Sequence, residues 1–332
     1  MRYDAEVLAT VRQVTFRSGL DTDRTVSHSG GPRCAERLDM NQAISVRPTR
    51  MRLIVLAVGV AVLTAGCGLG GTGSPAPRTF TEAAFDPKNF VDPRVGGNPW
   101  FPLKPGMQWL REGTTLVGNR QVPNKVVVTI TDAVRVIGGV KAVLAYDHSV
   151  AAGQVVQESL DYFAQDRNGA VWILAGATEQ FEAGRFVAVD EVWMGGVDGS
   201  KAGTLMPANP TLDTPAWSIA QPTTEDGDAA KVARMQAKEC EPLRCFTDVL
   251  VIEEGKRKAL NNEFKYYVRG VGQIRNEPLG ASRHEDIERL INVTQLSAAG
   301  LTEATAEALR IDAQAAKEWP HVFGKAKASR TA

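Results

Sequence analysis

Four acidic residues stand close to aromatics and glycines in the middle of the chain: Asp161, Asp166, Glu191 and Asp198. Two carboxylates held roughly 5–9 Å apart can hydrolyse a glycosidic bond, one acting as acid and the other as base or nucleophile. Asp166 opens Asp166-Arg167-Asn168-Gly169, and Asp198 precedes Gly199. Both spacings predict carboxylates spent on bonding their own turn backbone. Neither segment supplies the alternating oxygen ligands of a calcium loop. His148, His284 and His321 are too scattered along the chain for an obvious metal cluster. There is no HExxH, GxSxG, phosphate loop or dinucleotide fingerprint. The sequence thus predicts no catalytic residue, no metal and no cofactor, and any enzyme reading reduces to a carboxylate-dependent extracytoplasmic hydrolase.

The four cysteines are more telling. Met51-Arg52 is followed by the uncharged run LIVLAVGVAVLTA (Leu53–Ala65), then Gly66 and Cys67. A basic head, a short apolar body and small residues before a cysteine form a secretory signal with a lipoprotein-type end. The apolar body falls short of the roughly 20 residues of a comfortable membrane span. The motif resembles the lipobox of bacterial lipoproteins, which implies cleavage before Cys67 and a lipid on its sulfur, with Thr64 where leucine is usual. Residues 51–66 are then the signal peptide, and residues 1–50, with Cys34, are a mis-assigned start or a disordered extension. Cys240 and Cys245 remain. In an oxidising compartment, C-E-P-L-R-C with an internal Pro242 predicts a disulfide closing a tight loop. Two thiolates with no nearby histidine pair make a poor zinc site.

Aromatic side chains are the remaining candidates for recognition. Trp100, Trp109, Tyr162, Trp172, Trp193 and Tyr266 could line a cleft for a lipid or other hydrophobic ligand. Strand alternation makes Tyr162 and Phe163 diverge, as it does Tyr266 and Tyr267, so at most one of each pair faces the core. The other needs a cover, a partner or a ligand.

These residues sit on predicted strands. Residues 67–89 are rich in Gly, Pro, Thr and Ser and read as a flexible tether. From Met107 to Val189, β-branched and aromatic runs are broken by Gly113, Gly138-Gly139, Gly153, Asp166–Gly169 and Gly184, which are hairpin signals. Glu191 to about Asp228 reads as a long irregular crossing. Strands resume at Phe246–Glu253, Glu263–Arg269, Gln273–Glu277 and Glu288–Gln295. Leu301, Ala304, Ala308, Ile311, Ala315 and Trp319 then recur at helical spacing, with Thr302 placed to cap and Pro320 to stop. The expected architecture is mainly β (α+β): one large antiparallel curved meander sheet or half-barrel over residues 90–295, followed by a C-terminal helix and tail, 296–332.

The segments NPWFPLKPG, LDYFAQDRNGAVW, GGVDGSKAG, MPANP and KYYVRGVGQI together resemble a family of uncharacterised bacterial extracytoplasmic proteins, several of them lipoproteins. The resemblance spans roughly Asn98 to Glu277 and implies no activity.

Basic and acidic residues balance at 38 each, so charge gives no reason to expect nucleic acid. The expected function is a non-enzymatic binding or presentation domain outside the cytoplasm, anchored to the membrane through lipidated Cys67. Its ligand would be hydrophobic; the alternative is a structural or protein-interaction role in the cell envelope. Cells fed a palmitate label should mark the wild-type chain and leave Cys67→Ser unmarked, and equal labelling of both would disprove the anchor.

Overall fold

The computed structural model describes residues 80–330, apart from 96, 118–119, 223–226, 258, 280–285 and 326. The signal, Cys67 and residues 1–50 lie outside the described residues.

The strands form one antiparallel sheet built from two meanders. The first runs through β2 (Met107–Val117), β3 (Arg120–Ile137), β4 (Val140–Ala151), β5 (Gln154–Asp166), β6 (Val171–Glu182) and β7 (Arg185–Met194). The second runs through β9 (Trp217–Ala220), β10 (Asp228–Cys240), β11 (Cys245–Lys256), β12 (Ala259–Val268), β13 (Gly272–Pro278) and β14 (Ile287–Gln295). Pairing of β14 with β2, from Ile287 opposite Thr114 to Gln295 opposite Met107, fuses the two. Short strands fill in around them. β1 (Phe90–Val91) pairs with β5, β8 (Gly203–Met206) with β6 and β15 (Ser329–Arg330) with β3.

The sheet path stays open, yet it curls until its ends meet. β8 takes the stretch of β6 from Val171 to Ile173, leaving Ala175–Glu182 to β7. Beyond β8, Lys201 and Gln221 exchange backbone hydrogen bonds of 2.9 and 3.1 Å, bridging to the β9 end. Both seams carry a glycine. A Cβ on Gly113 would lie 1.8 Å from the Ile287 carbonyl oxygen, and one on Gly203 would lie 1.8 Å from that of Ile219. Only a residue without a side chain permits such an approach. Register shifts along β10–β11 accompany positive φ at Gln236 and Asp248, and such bulges bend a strand.

The first meander hides its outer face under α1 (Ala298–Glu318) and α2 (Pro320–Phe323). Ala304, Ala308, Ile311 and Ala315 are buried, as their spacing predicts. The cap is Ser297, whose side chain accepts from the Gly300 amide at 3.2 Å, and not Thr302. Thr302 already sits within the helix and its hydroxyl donates back to the Ala298 carbonyl. Leu160, Tyr162 and Ala164 point to this helix, while Phe163 points to the inner face. Two further expectations change. The break expected at Gly113 is absent, since β2 runs through it to Val117, and β3 is one long strand with a register shift between Ile130 and Val134. The predicted crossing holds the end of β7 and all of β8 and β9, because those short segments find edges on β6 and β10.

N-terminal to β1, residues 80–89 pack on the body. Thr81 exchanges backbone hydrogen bonds with Ala216 and Ser218, and Phe85 and Phe90 stand edge-on or tilted around Trp172. Glu82 pairs with Lys201 at 3.2 Å and Arg257 at 3.0 Å, and accepts from Gln221 at 2.7 Å. Cys240 and Cys245 face each other across the β10–β11 hairpin and form a disulfide, as their spacing predicts. Beside it the Glu241 carboxylate holds Arg275 and Arg289, docking the hairpin tip on β13 and β14.

A buried polar knot clamps the helix. Asp312 accepts from Arg135 at 2.5 Å, from the Tyr162 hydroxyl at 2.8 Å and from the Ala328 amide at 3.0 Å. Arg135 also donates to the Phe323 carbonyl. Both charged residues are only 2 % exposed. Removing one partner strands the other in a dry site. Asp312→Ala should therefore lose about 3–5 kcal/mol in urea unfolding, and Arg135→Met combined with Asp312→Leu should lose less than Asp312→Ala alone.

Candidate functional site

The inner face of the sheet is divided. One end is packed with apolar side chains, among them Trp100, Leu103, Trp109, Val143, Phe163 and Tyr267. The other end is charged and surrounds a cavity of about 470 Å³. The alternation of β5 shows how the sequence builds this. Leu160, Tyr162 and Ala164 serve the helix side, so Asp161 and Phe163 face inward. On β12, Glu263, Lys265 and Tyr267 likewise share the inner face. Five carboxylates (Asp161, Glu191, Asp228, Glu254, Glu263) and two lysines (Lys256, Lys265) line the cavity, with Phe163, Trp193 and Leu205 as its larger apolar walls.

The charges are arranged in pairs. Lys265 Nζ lies 2.6 Å from Glu254 Oε2 and 3.0 Å from Glu263 Oε1. Lys256 lies 3.1 Å from Asp228. Deeper along the inner face, Arg111 Nε donates to Glu288 at 2.6 Å, and Ser149 donates to Asp147 at 2.9 Å. Asp161 is the exception: its carboxylate accepts no hydrogen bond from any described group. Trp193 packs its indole over Gly176, where an added Cβ would meet Nε1 at 2.7 Å.

Crowding of negative groups in a desolvated space raises carboxyl pKa values. Burial, reinforced by Asp147 and Glu191 and opposed by Lys265, lifts Asp161 from 3.8 to about 7. Burial, opposed by Arg111 and reinforced by Glu288, lifts Asp147 from 3.8 to about 6. Burial also raises Glu254. For Lys265 burial works the other way but loses to Glu254 and Glu263, which hold the ammonium well above its ordinary range.

Of the aromatics singled out by sequence, Trp193 alone lines the cavity. Trp100 is buried beneath the Arg269 guanidinium, 4.2 Å from the ring centroid. Trp109 donates to the Val271 carbonyl at 2.5 Å. Tyr162 belongs to the helix clamp, and Trp172 donates to Asp166 at 3.1 Å on the same outer side. Tyr266 donates to Glu277 at 2.5 Å with Arg275 over its ring. Among the acids, Asp161 and Glu191 come together on the cavity. Asp166 bonds the amides of Asn168 and Ala170, as its turn spacing predicts, and Asp198 pairs with His321 at 3.4 Å. His148 pairs with Glu158 at 2.9 Å near the helix, and His284 lies outside the described residues. Sequence reading missed Glu254, Glu263 and Lys265. The available signal was their alternation with Ile252 and Tyr267, which puts charges on a face that also carries core residues.

No family profile and no curated protein matches the chain. Among solved structures, a "putative exported protein with YmcC-like fold" from Bacteroides fragilis aligns at 14 % identity over 60 % of this chain and 100 % of its own, with a TM-score of 0.33. A "putative lipoprotein" from Parabacteroides distasonis aligns at 13 % over 60 % and 100 %, with a TM-score of 0.25. The functional reading rests on the chain's own residues.

Because folded Asp161 and Asp147 keep their protons to about pH 7 and 6, while unfolded Asp releases them near 3.8, the folded state binds more protons between these values. These two groups therefore make stability fall as pH rises from about 4 to 7. Urea unfolding across that range should show a shallower fall for Asp161→Asn than for the parent, and identical slopes would refute the assignment.

Proposed function

We propose that this chain is a membrane-anchored extracytoplasmic protein, tethered through a lipid on Cys67, whose curled sheet binds a small molecule without transforming it. The anchor is supported by the Met51–Cys67 signal, and an oxidising compartment by the Cys240–Cys245 bond. The observation that carries the binding reading is the cavity of about 470 Å³, lined from β5 to β12 by strands of both meanders. That volume lies within the usual span of small-molecule sites, roughly 300–1,000 Å³. Its walls favour a polar occupant over an acyl chain, since methylenes laid against Asp161, Glu254 and Lys265 would strip water from charges and return no hydrogen bonds.

A second reading is favoured by one observation. Asp161 and Glu191 share the cavity, and Asp161 would still hold its proton near pH 7. A carboxylic acid beside a second carboxyl group is the equipment of a glycoside hydrolase. Turnover of nitrophenyl glycosides that is lost in Asp161→Asn would support it over simple binding.

Native mass spectrometry of the full chain extracted gently from its own membranes should show a retained small polar molecule. Leu205→Trp, which fills the cavity from β8, should release that molecule while circular dichroism stays unchanged. A parent chain that retains nothing, or a mass unaffected by Leu205→Trp, would overturn the binding reading.

A further inference from the structure

We propose that the cavity takes a small organic cation, an alkylammonium or polyamine, with the Asp161 carboxylate as its counter-ion and Trp193 and Phe163 as its aromatic walls. This deepens the binding reading above and rests on it.

A row of acidic residues alone would not make a site. One unmet valence does. Glu254 is 5 % exposed and lines the cavity; its Oε2 holds Lys265, but its Oε1 has no hydrogen-bond partner. A buried acceptor left without a donor is costly, and a ligand N–H meets the need. Asp161, half-buried, accepts no side-chain hydrogen bond among the described residues and presents its carboxylate to the same space.

The charge balance decides the sign of the ligand. Both lysines of the lining are engaged by carboxylates, Lys265 by two of them. An anion would have to break those pairs, whereas a cation meets an excess of negative groups. The aromatic walls favour an organic cation, because an ammonium over an indole face gains roughly 0.5–2 kcal/mol. A bare metal ion fits poorly: among the described residues no three His, Cys, Asp or Glu side chains gather closely enough to hold one.

The charged groups facing Asp161 are Asp147 on β4, Glu191 on β7 and Lys265 on β12. A carboxyl group in that setting ionises around neutrality, so a bound cation must release its proton below pH 7 and need not above it. Affinity should therefore rise about tenfold between pH 6 and pH 8.

Isothermal titration of the full chain in detergent, with spermidine and choline as probes and inositol as the neutral comparison, tests this. At least one ammonium probe should bind, more tightly at pH 8 than at pH 6. Asp161→Asn should weaken it at least tenfold and remove the pH dependence, while Asp161→Glu restores part of the affinity. Thermal melts of both variants check that they fold. Inositol binding without either cation would overturn the proposal and leave the binding reading standing. No heat from either cation at millimolar concentration, or cation binding indifferent to Asp161→Asn, would also overturn it. Loss of all binding by Leu205→Trp alone tests the cavity separately.

Discussion

The pairing of β14 with β2 is the constraint on which the other features depend. Each meander by itself is a stack of hairpins with two faces to cover, and local turns suffice to build it. The β14–β2 ladder is the long-range contact that turns two stacks into one curled sheet. Gly113 allows the approach, and the Arg111–Glu288 ion pair spans the same seam on the inner face. Once this junction is set, strands distant in sequence, β5 and β12, look at each other across a common interior, and Asp161 meets Lys265.

That interior is expensive to build from charges. A buried ion pair recovers its desolvation cost only when geometry is good and the remaining valences are met. Most of the inner charges satisfy this: Lys265 is held by two carboxylates, and Arg111 by Glu288 at 2.6 Å. A replacement of all of them by leucine would stabilise a mere scaffold. These charges, together with the unpartnered Oε1 of Glu254, mark the place where the chain gives up stability. The apolar half of the inner face and the helix-covered outer face of the first meander supply the compensation.

Much of the fold was legible because hairpins announce themselves locally. Gly138-Gly139, Asp166–Gly169 and Gly184 stand at turns, and the 3.6-residue rhythm of Ala304, Ala308, Ile311 and Ala315 identifies the helix face. β10 escaped because Lys231, Arg234, Gln236 and Lys238 read as solvent-facing, and its place depends on partners on β9 and β11. Ser297 was passed over as a cap because Ala298 and Ala299 carry little periodic signal. The cavity was the least legible part. Asp161 stood out by its neighbours, but Glu254 and Lys265 looked like the polar side of half-exposed strands. Only closure of the sheet makes that side an interior. The disulfide needed no such global information, since its two cysteines are separated by only the four residues of a hairpin turn.

The attachment of residues 80–82 bears on the wall of the cavity. Thr81 joins the edge at β9, and Glu82 grips Lys201, Gln221 and Arg257, beside the seam where the sheet's two ends meet. Ile219, Ala220 and Pro222, which line the cavity, lie within that same stretch of chain. Residues 80–82 thus brace the seam beside the cavity-lining strand β9. Loosening the grip of Glu82 would therefore loosen the wall that Ile219, Ala220 and Pro222 give the cavity.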